Sequence, residues 1–326
     1  MSEDHLLNLI NDFTWDAPFF KTLAPNDTGN GRTHQGGPLI PKDLRQYFPT
    51  LDETLLSPGK PVIGIGLTVE LYDGGRFLAS KDTHYRFQTR MGKRTPEGRV
   101  TGNLDPQYKM SSGGDVLIMQ RSRDRTEAYR FFLIRKGTDH FRALDPIFSG
   151  RNWGALYDDN PPLSRDELLE ATEELFSEAG EPFIPVRHSI PRSAISRDAI
   201  ARDTAFREVL LEEYSRKCSV SGIAMATRTT VEAEAVHVVG LGFGGADEPR
   251  NGFLLTRTLH WSFDQGLFGI DDTRCVVVPE AVQQMPENEW LIQYQGRKIR
   301  DAKTQSLRTS PLAFAWHREN LLARWD

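Results

Sequence analysis

The sequence predicts an α+β chain of two domains, with strands in its first half and helices in its second. Runs rich in β-branched and aromatic residues, separated by glycine and charged turns, are PVIGIGLTVEL, THYRFQT, DVLIMQ and AYRFFLIR. These runs predict a small barrel of antiparallel strands. In the second half, apolar residues recur every four positions in two stretches, which is typical of amphipathic helices. The two sets are Phe206, Leu210 and Tyr214, and Leu255, Leu259 and Phe263. A length of 326 residues suits two domains.

The composition is that of an ordinary soluble protein, with 38% hydrophobic and 26% charged residues. No basic leader precedes an apolar run and no stretch is long enough to span a membrane, so we expect a cytoplasmic protein without a membrane partner. The two cysteines are too few for a disulfide framework or a four-cysteine zinc clamp, so no structural zinc is expected. A net charge of −5 argues against indiscriminate nucleic-acid binding.

The residues with the clearest chemistry lie between Lys217 and Asp271. His237 ends a short valine-rich strand, where an imidazole can act as a general base. From Phe253 the pattern becomes helical, and His260 and Asp264 share one face, one turn apart. An imidazole nitrogen and a carboxylate oxygen so placed can chelate a divalent cation. Asn251 suits a side chain that pins the preceding loop and orients the histidine.

In this order, the residues resemble the HNH endonucleases, whose fold is the ββα-metal fold. The motif positions are Cys218 to Gly222, Glu234 to His237, Asn251 to Leu255, and Leu259 to Leu267. The resemblance implies that His237 activates the attacking water, Asn251 holds the loop, and His260 and Asp264 ligate Mg²⁺, Mn²⁺ or a similar ion. Many such enzymes have a metal ligand directly before the catalytic histidine, where this chain has Val236. Glu234, on the same strand face, is our candidate substitute ligand.

The first half carries a basic run, RFQTRMGKRTPEGR, from Arg86 to Arg99. Its glycines and proline indicate a loop, which can follow a DNA groove and contact phosphates or guanine edges. A second basic stretch, at Arg121, Arg123, Arg125 and Arg130, is as consistent with a solvated hairpin face as with a DNA contact. Ahead of both, the polar and glycine-rich segment from Asn26 to Gly37 is typical of a functional loop, with turns capped by their own Asn and Asp side chains as the alternative.

FFKTLAPNDTG, followed by HQGG and IPK, is similar to the N-terminal effector-binding domain of the EcoRII restriction enzyme and its relatives. That resemblance implies a DNA-binding pseudobarrel that grips duplex DNA with two loops. Pro38 and Leu39 follow HQGG where related chains often have a bulkier contact residue, so the bases read can differ. The implied DNA contacts are Asn26, Asp27, Arg32, His34 and Gln35 in the first loop, and Arg90, Lys93, Arg94 and Arg99 in the second.

These observations predict a DNA-recognition pseudobarrel over 1–155, a linker with its own helix over 156–197, and an HNH nuclease domain over 198–326. The expected function is sequence-specific cleavage of double-stranded DNA, of restriction or antiphage type, by a homodimer or two chains meeting on DNA, with a cognate methyltransferase as a further partner. One alternative is a nuclease that requires modified bases. The other is a DNA-binding regulator whose HNH site has decayed, as Val236 would suggest.

Overall fold

The computed structural model describes residues 3–29, 36–57, 59–89, 96–186 and 196–325. The chain forms two compact units, which are described separately below. The first comprises Met1–Asp166 and Arg228–Thr230, and the second Glu167–Thr227 and Val231–Asp326. In the described residues, no helix combines the length and the apolar character needed to cross a membrane.

The first unit is built on one mixed sheet, in the order β2-β5-β4-β3-β7-β6-β1-β8. Its helices are α1 (Glu3–Ile10), α2 (Asp105–Tyr108) and α3 (Asp139–Phe148). Its strands are β1 (Phe19–Thr22), β2 (Leu39–Ile40), β3 (Val62–Asp73), β4 (Arg76–Gln88), β5 (Glu97–Thr101), β6 (Val116–Arg121), β7 (Ala128–Ile134) and β8 (Trp153–Ala155).

One strand pairing differs from the antiparallel barrel that the sequence predicts. β3 and β7 are parallel, with Thr68 opposite Ala128 and Asp73 opposite Leu133. The other pairings of this sheet are antiparallel. The long path through β4, β5, α2 and β6 is what allows a parallel pair, since short turns can join only antiparallel strands.

Both faces of the central strands are buried, which explains their nearly continuous apolar sequences. Alternate residues of each strand enter two different cores. One core contains Phe19, Leu117, Met119, Tyr129, Phe131 and Leu133. The other contains Phe20, Val116, Ile118, Phe132 and Ile134, covered by Leu6 of α1 and Leu144 of α3.

The two edges of the sheet approach each other, so it curls into a pseudobarrel as expected. Lys21 of β1 donates a hydrogen bond from Nζ to the carbonyl oxygen of Leu39 in β2, at 2.6 Å. A 3₁₀ helix, Lys42–Tyr47, follows β2, and its Asp43 accepts a hydrogen bond from the indole nitrogen of Trp153 in β8. The predicted α+β fold class is confirmed by this unit together with the helical second unit.

The second unit surrounds two small hairpins with helices. Its helices are α4 (Arg165–Ala179), most of which lies in this unit, α5 (Arg197–Glu213), α6 (Arg257–Asp264), α7 (Glu280–Gln283), α8 (Glu289–Ile292) and α9 (Pro311–Asn320). The hairpins are β9 (Glu234–His237) with β10 (Gly252–Leu255), and β11 (Gly269–Ile270) with β12 (Val276–Val277).

The prediction of a helix from Phe253 is wrong for its first four residues, of which Thr256 is the N-cap. Phe253 to Leu255 lie in β10, and the helix begins at Arg257. Phe253 lies opposite Val236 and packs its ring on Phe263 and Phe314. Leu255, Leu259 and Phe263 repeat every four residues, but Leu255 belongs to the strand because backbone pairing with β9 decides its conformation.

Candidate nuclease site

The β9–β10 hairpin and the turn before it form the base of the site. Cys218 Sγ accepts a hydrogen bond from the backbone nitrogen of Ser221, and Gly222 follows with a positive φ of 74°. Ser219 then donates its backbone N–H to the carbonyl of Leu254 in β10. The Cys-x-x-Ser-Gly sequence therefore makes a tight turn that is tied to the hairpin.

His260 is the centre of one group of charged side chains on α6. Its Nε2 lies 3.3 Å from Oδ2 of Asp264, one turn later on the helix. Its Nδ1 lies 2.7 Å from Oε2 of Glu234 in β9. Glu234 also pairs with Arg257, whose Nε is 3.1 Å from its other carboxylate oxygen. Each ring nitrogen of His260 thus faces a carboxylate.

The predicted ligand set of Glu234, His260 and Asp264 does not form as three ligands of one ion. Among the residues that the structure describes, no group of three or more His, Cys, Asp and Glu side chains could hold a metal together. The reason is that Glu234 and Asp264 lie against opposite nitrogens of the same imidazole. A carboxylate on the second nitrogen of a metal-binding histidine orients the ring, which is the position of Glu234.

Burial raises the pKa of the Asp264 carboxyl group above its usual value. The neighbouring His260 opposes this shift, and the negative charge of Glu234 adds to it. Two carboxylates around a single imidazole carry excess negative charge, and a bound cation would relieve it.

His237 makes a different set of contacts. Its Nε2 lies 3.0 Å from Oδ1 of Asp247, and its ring stacks on Phe206 of α5 with centroids 4.0 Å apart and planes 4° from parallel. Gly252, opposite His237, allows this packing, since a Cβ there would come within 2.5 Å of the Phe206 ring. Nδ1 of His237 has no hydrogen-bond partner among the described residues.

The hairpin places His237 and His260 toward different faces. Side chains alternate along a strand, so Glu234 and Val236 point to one face and His237 to the other. Glu234 contacts His260 of α6, whereas His237 contacts Phe206 of α5. Three residues of strand separate Glu234 from His237, about 10 Å at 3.3 Å per residue. The structure therefore has two parts to this site, at two ends of one short strand.

Asn251 holds the loop that follows His237. Its Oδ1 accepts from the backbone nitrogen of Val239, and its Nδ2 donates to the carbonyls of Val239 and Ala246. The side chain is fully buried. Asn251 thus pins both ends of the 239–246 segment, whereas the side chains in contact with His237 are Asp247 and Phe206. Neither is among the site residues that the sequence predicts.

Residues 218–271 match the HNH endonuclease family. The HNH segment contains the Cys218 turn, both strands of the hairpin, the Asn251 loop and α6. The segment is therefore similar to the HNH endonucleases, which generally use divalent metal ions.

Two solved restriction enzymes are similar to the chain. The modification-dependent TagI restriction endonuclease is 20% identical, with a TM-score of 0.29 over 36% of this chain and 37% of TagI. The B3 domain of the UbaLAI restriction endonuclease, solved with cognate DNA, is 20% identical, with a TM-score of 0.31 over 43% of this chain and 86% of that domain. The chain thus spans little more than a third of TagI. TM-scores this low carry nothing about function, and no curated protein matches the chain.

Outside the HNH segment, three of the predicted DNA contacts fall in the described structure. Asn26 is exposed. Asp27 is only 3% exposed and pairs with Lys21 Nζ at 2.5 Å. Arg99 donates to the carbonyl of Gly37 at 2.6 Å. Asp27 and Arg99 therefore hold the loop itself, which corrects the prediction that Asp27 offers its carboxylate to DNA. The remaining predicted contacts, Arg32, His34, Gln35, Arg90, Lys93 and Arg94, lie outside the described residues.

The second basic stretch, from Arg121 to Arg130, is partly buried. The sequence predicts either a solvated hairpin face or a DNA contact there, and neither interpretation includes burial. Arg121 pairs with Asp16 at 2.6 Å, and both side chains are buried. Arg130 donates from Nε to Gln120 and lies over the ring of Trp15. These two arginines stabilise the interior of the first unit and are not part of a DNA-binding face.

Proposed function

We propose that the chain is a metal-dependent endonuclease that cuts double-stranded DNA. The observation that carries the proposal is the His260–Asp264 pair on α6, with Glu234 on the opposite ring nitrogen, inside the segment that matches the HNH family. His237, at the end of the adjoining strand, supplies a base within the same segment.

The spacing of the pair suits a divalent cation. Ligands at right angles around an ion, each about 2.1 Å from it, lie about 3 Å apart, close to the 3.3 Å between His260 Nε2 and Asp264 Oδ2. Mg²⁺ commonly takes few protein ligands and completes its shell with water and phosphate oxygens, so a pair is sufficient. When bound, the ion would stabilise negative charge on the phosphate and on the leaving oxygen. Mg²⁺ is our first choice and Mn²⁺ the first substitute.

His237 is the proposed general base. Its Nδ1, which has no hydrogen-bond partner among the described residues, is the nitrogen that accepts a proton from water. Asn251 keeps the loop after His237 in place, so that the imidazole meets water at a fixed position.

The first unit is the proposed DNA-recognition domain, through Asn26 and the loop residues that lie outside the described structure. Cutting a duplex needs two strand breaks, so a homodimer or two chains meeting on DNA is the simplest arrangement. A restriction or antiphage role follows from joining recognition to cleavage, and a methyltransferase would then protect host DNA. The intact His237, Asn251, His260 and Asp264 favour a nuclease over a regulator with a decayed site.

Metal removal tests the proposed chemistry. We expect purified protein to cut plasmid DNA with Mg²⁺ or Mn²⁺ and to stop in EDTA, with a 5′-phosphate at the new ends. Asp264→Asn keeps an oxygen ligand but loses its charge, so it should need more metal and cut about 10²-fold more slowly at low Mg²⁺. Gln265→Ala, the exposed neighbour of Asp264 on the same helix end, is the matched control and should cut normally.

Two outcomes would contradict the proposal that His260 and Asp264 bind the metal ion. One is cleavage that persists in EDTA, and the other is an equal metal requirement in the Asp264→Asn and Gln265→Ala variants. Parallel digestion of modified and unmodified DNA distinguishes the two nuclease readings, because only an enzyme that requires modification leaves unmodified DNA intact. Specific binding without cutting in Mg²⁺, Mn²⁺ or Co²⁺ would support the regulator instead.

A further inference from the structure

Asp247 occupies a position relative to His237 that the proposed chemistry above leaves unused. It lies in the loop between β9 and β10, ten residues after the histidine, and its Oδ1 is 3.0 Å from His237 Nε2. Both side chains are nearly buried, at 13% exposure for His237 and 12% for Asp247. A carboxylate this close to one ring nitrogen accepts a hydrogen bond from it, so the proton of the neutral imidazole belongs on Nε2.

Asp247 is itself held in place from α5. Arg202 contacts it twice, with Nε 3.3 Å from Oδ2 and with Nη2 donating to its backbone carbonyl at 2.8 Å. The same guanidinium pairs with Glu178 of α4 at 2.6 Å and with Glu174 at 3.3 Å. Phe206, one turn after Arg202 on α5, stacks on the imidazole. One helix therefore fixes both the carboxylate and the ring plane.

We propose that Asp247 is a positioning residue that acts through His237. Its carboxylate keeps the proton on Nε2, so that Nδ1 stays free to accept the proton of the attacking water. Arg202 keeps the carboxylate at this distance. The inference rests on the proposed nuclease function for its consequence in catalysis, but the tautomer and orientation of His237 are properties of the protein alone.

The motif residue Asn251 cannot supply this contact in the structure. In the described structure, the side chain of Asn251 makes its three hydrogen bonds to the backbone of Val239 and Ala246. Its role is to shape the loop that carries Asp247. Orientation of the base and shape of the loop are thus assigned to two different residues.

The first test reads the proton on His237 directly. In protein labelled with ¹⁵N-histidine, spectra are recorded across a pH series and the tautomer is read where they no longer change with pH. The two ring nitrogens of His237 are identified by the signals that disappear in His237→Gln. We expect Nε2 to carry the proton in the wild type. Asp247→Asn offers an amide that can donate, so the proton should move to Nδ1. Asp247→Glu should keep it on Nε2.

The second test measures the consequence for cleavage. We expect Asp247→Asn to lower kcat about 10²-fold with KM changed less than threefold, and Asp247→Glu to recover most of the rate. In a His237→Ala background, Asp247→Asn should change the rate less than twofold, because no imidazole remains to be oriented. Asp272→Asn is the control. Asp272 is an exposed carboxylate that pairs with Arg318, and its substitution should leave kcat unchanged.

An unchanged Nε2 proton in Asp247→Asn would overturn the proposal, and so would an equal loss of rate with and without His237. If the wild type cuts no DNA but the proton moves from Nε2 to Nδ1 in Asp247→Asn, the proposed function fails while the positioning of His237 stands. The thermal midpoints of the variants show whether any loss of rate reflects unfolding.

Discussion

Asn26 and Asp27 are neighbours in the loop after β1, yet their side chains have different surroundings. Asn26 is exposed, whereas Asp27 accepts hydrogen bonds from Lys21, from the backbone of Ala24 and from the backbone of Leu39. Burial lowers the pKa of Lys21, and the charge of Asp27 opposes that shift. Removing one partner of such a pair leaves an uncompensated buried charge, which is costly.

We therefore predict opposite outcomes for two adjacent substitutions. Asp27→Ala should destabilise the first unit by roughly 3–5 kcal/mol in urea unfolding and reduce DNA binding only as far as the folded fraction falls. Asn26→Ala should change stability by less than about 0.5 kcal/mol and weaken DNA binding several-fold. If Asp27→Ala remained fully stable but lost DNA binding, the carboxylate would be a contact after all.

The residue types of the HNH segment predict a chemistry, but they do not predict the partners of those residues. His237, Asn251, His260 and Asp264 stand out because their order and spacing match a motif. Asp247 lies in a loop where neither strand nor helix periodicity applies. Glu248 beside it is also an acidic residue, so the sequence does not show which of the two contacts the histidine. Only the folded loop, pinned by Asn251, shows that Asp247 contacts His237 while Glu248 pairs with Arg250.

At the scale of elements, α6 is held by a histidine that has no part in the proposed chemistry. His317 of α9 is fully buried and stacks on Phe263 of α6, with ring centroids 3.7 Å apart. Its Nε2 donates a hydrogen bond to the carbonyl oxygen of Phe263. Burial lowers the pKa of His317 to about 4; the Phe263 carbonyl opposes the shift, and the charges of Arg324 and Arg318 add to it.

This packing predicts that the second unit loses stability in mild acid. In the unfolded state this histidine has a pKa near 6.5, so between about pH 6.5 and pH 4 it is protonated there but neutral in the folded state. The free energy of unfolding therefore falls as the pH drops from about 6.5 toward 4. Between pH 7 and pH 5 this one group should cost about 2 kcal/mol. His317→Gln can still donate to the Phe263 carbonyl but does not titrate. Urea unfolding of both proteins at the two pH values should show the difference, and equal pH dependence would contradict it.

Elements whose local pattern is unambiguous were predictable from the sequence. Phe206 and Leu210, which recur at a helical spacing, are buried on α5, and Tyr214 is buried at the C-cap of that helix. β10 was not predictable in this way, because Leu255 fits a helical repeat as well as a strand. The parallel pairing of β3 and β7 could not be predicted from the sequence either. The apolar pattern of a strand shows that the strand is buried, but it does not show the direction of the neighbouring strand.

At the scale of the whole molecule, the chain forms two compact units, and the second contains the segment that matches the HNH endonucleases. The predicted α+β class and the HNH match agree with the structure. The sequence could not show which side chains pair with residues far away in the chain. Arg121 pairs with Asp16 across more than a hundred residues, so a stretch with the composition of a surface patch proved to be interior.

The most direct test of the account compares wild type with His237→Ala on plasmid and phage DNA in Mg²⁺, with the fragment ends sequenced and DNA binding measured in parallel. We predict discrete fragments from the wild type, cleavage at least about 10²-fold slower in His237→Ala, and equal DNA binding by both. Equal cutting by the two proteins would contradict His237 as the base. Failure of both to cut any DNA, with binding intact, would contradict the nuclease function itself.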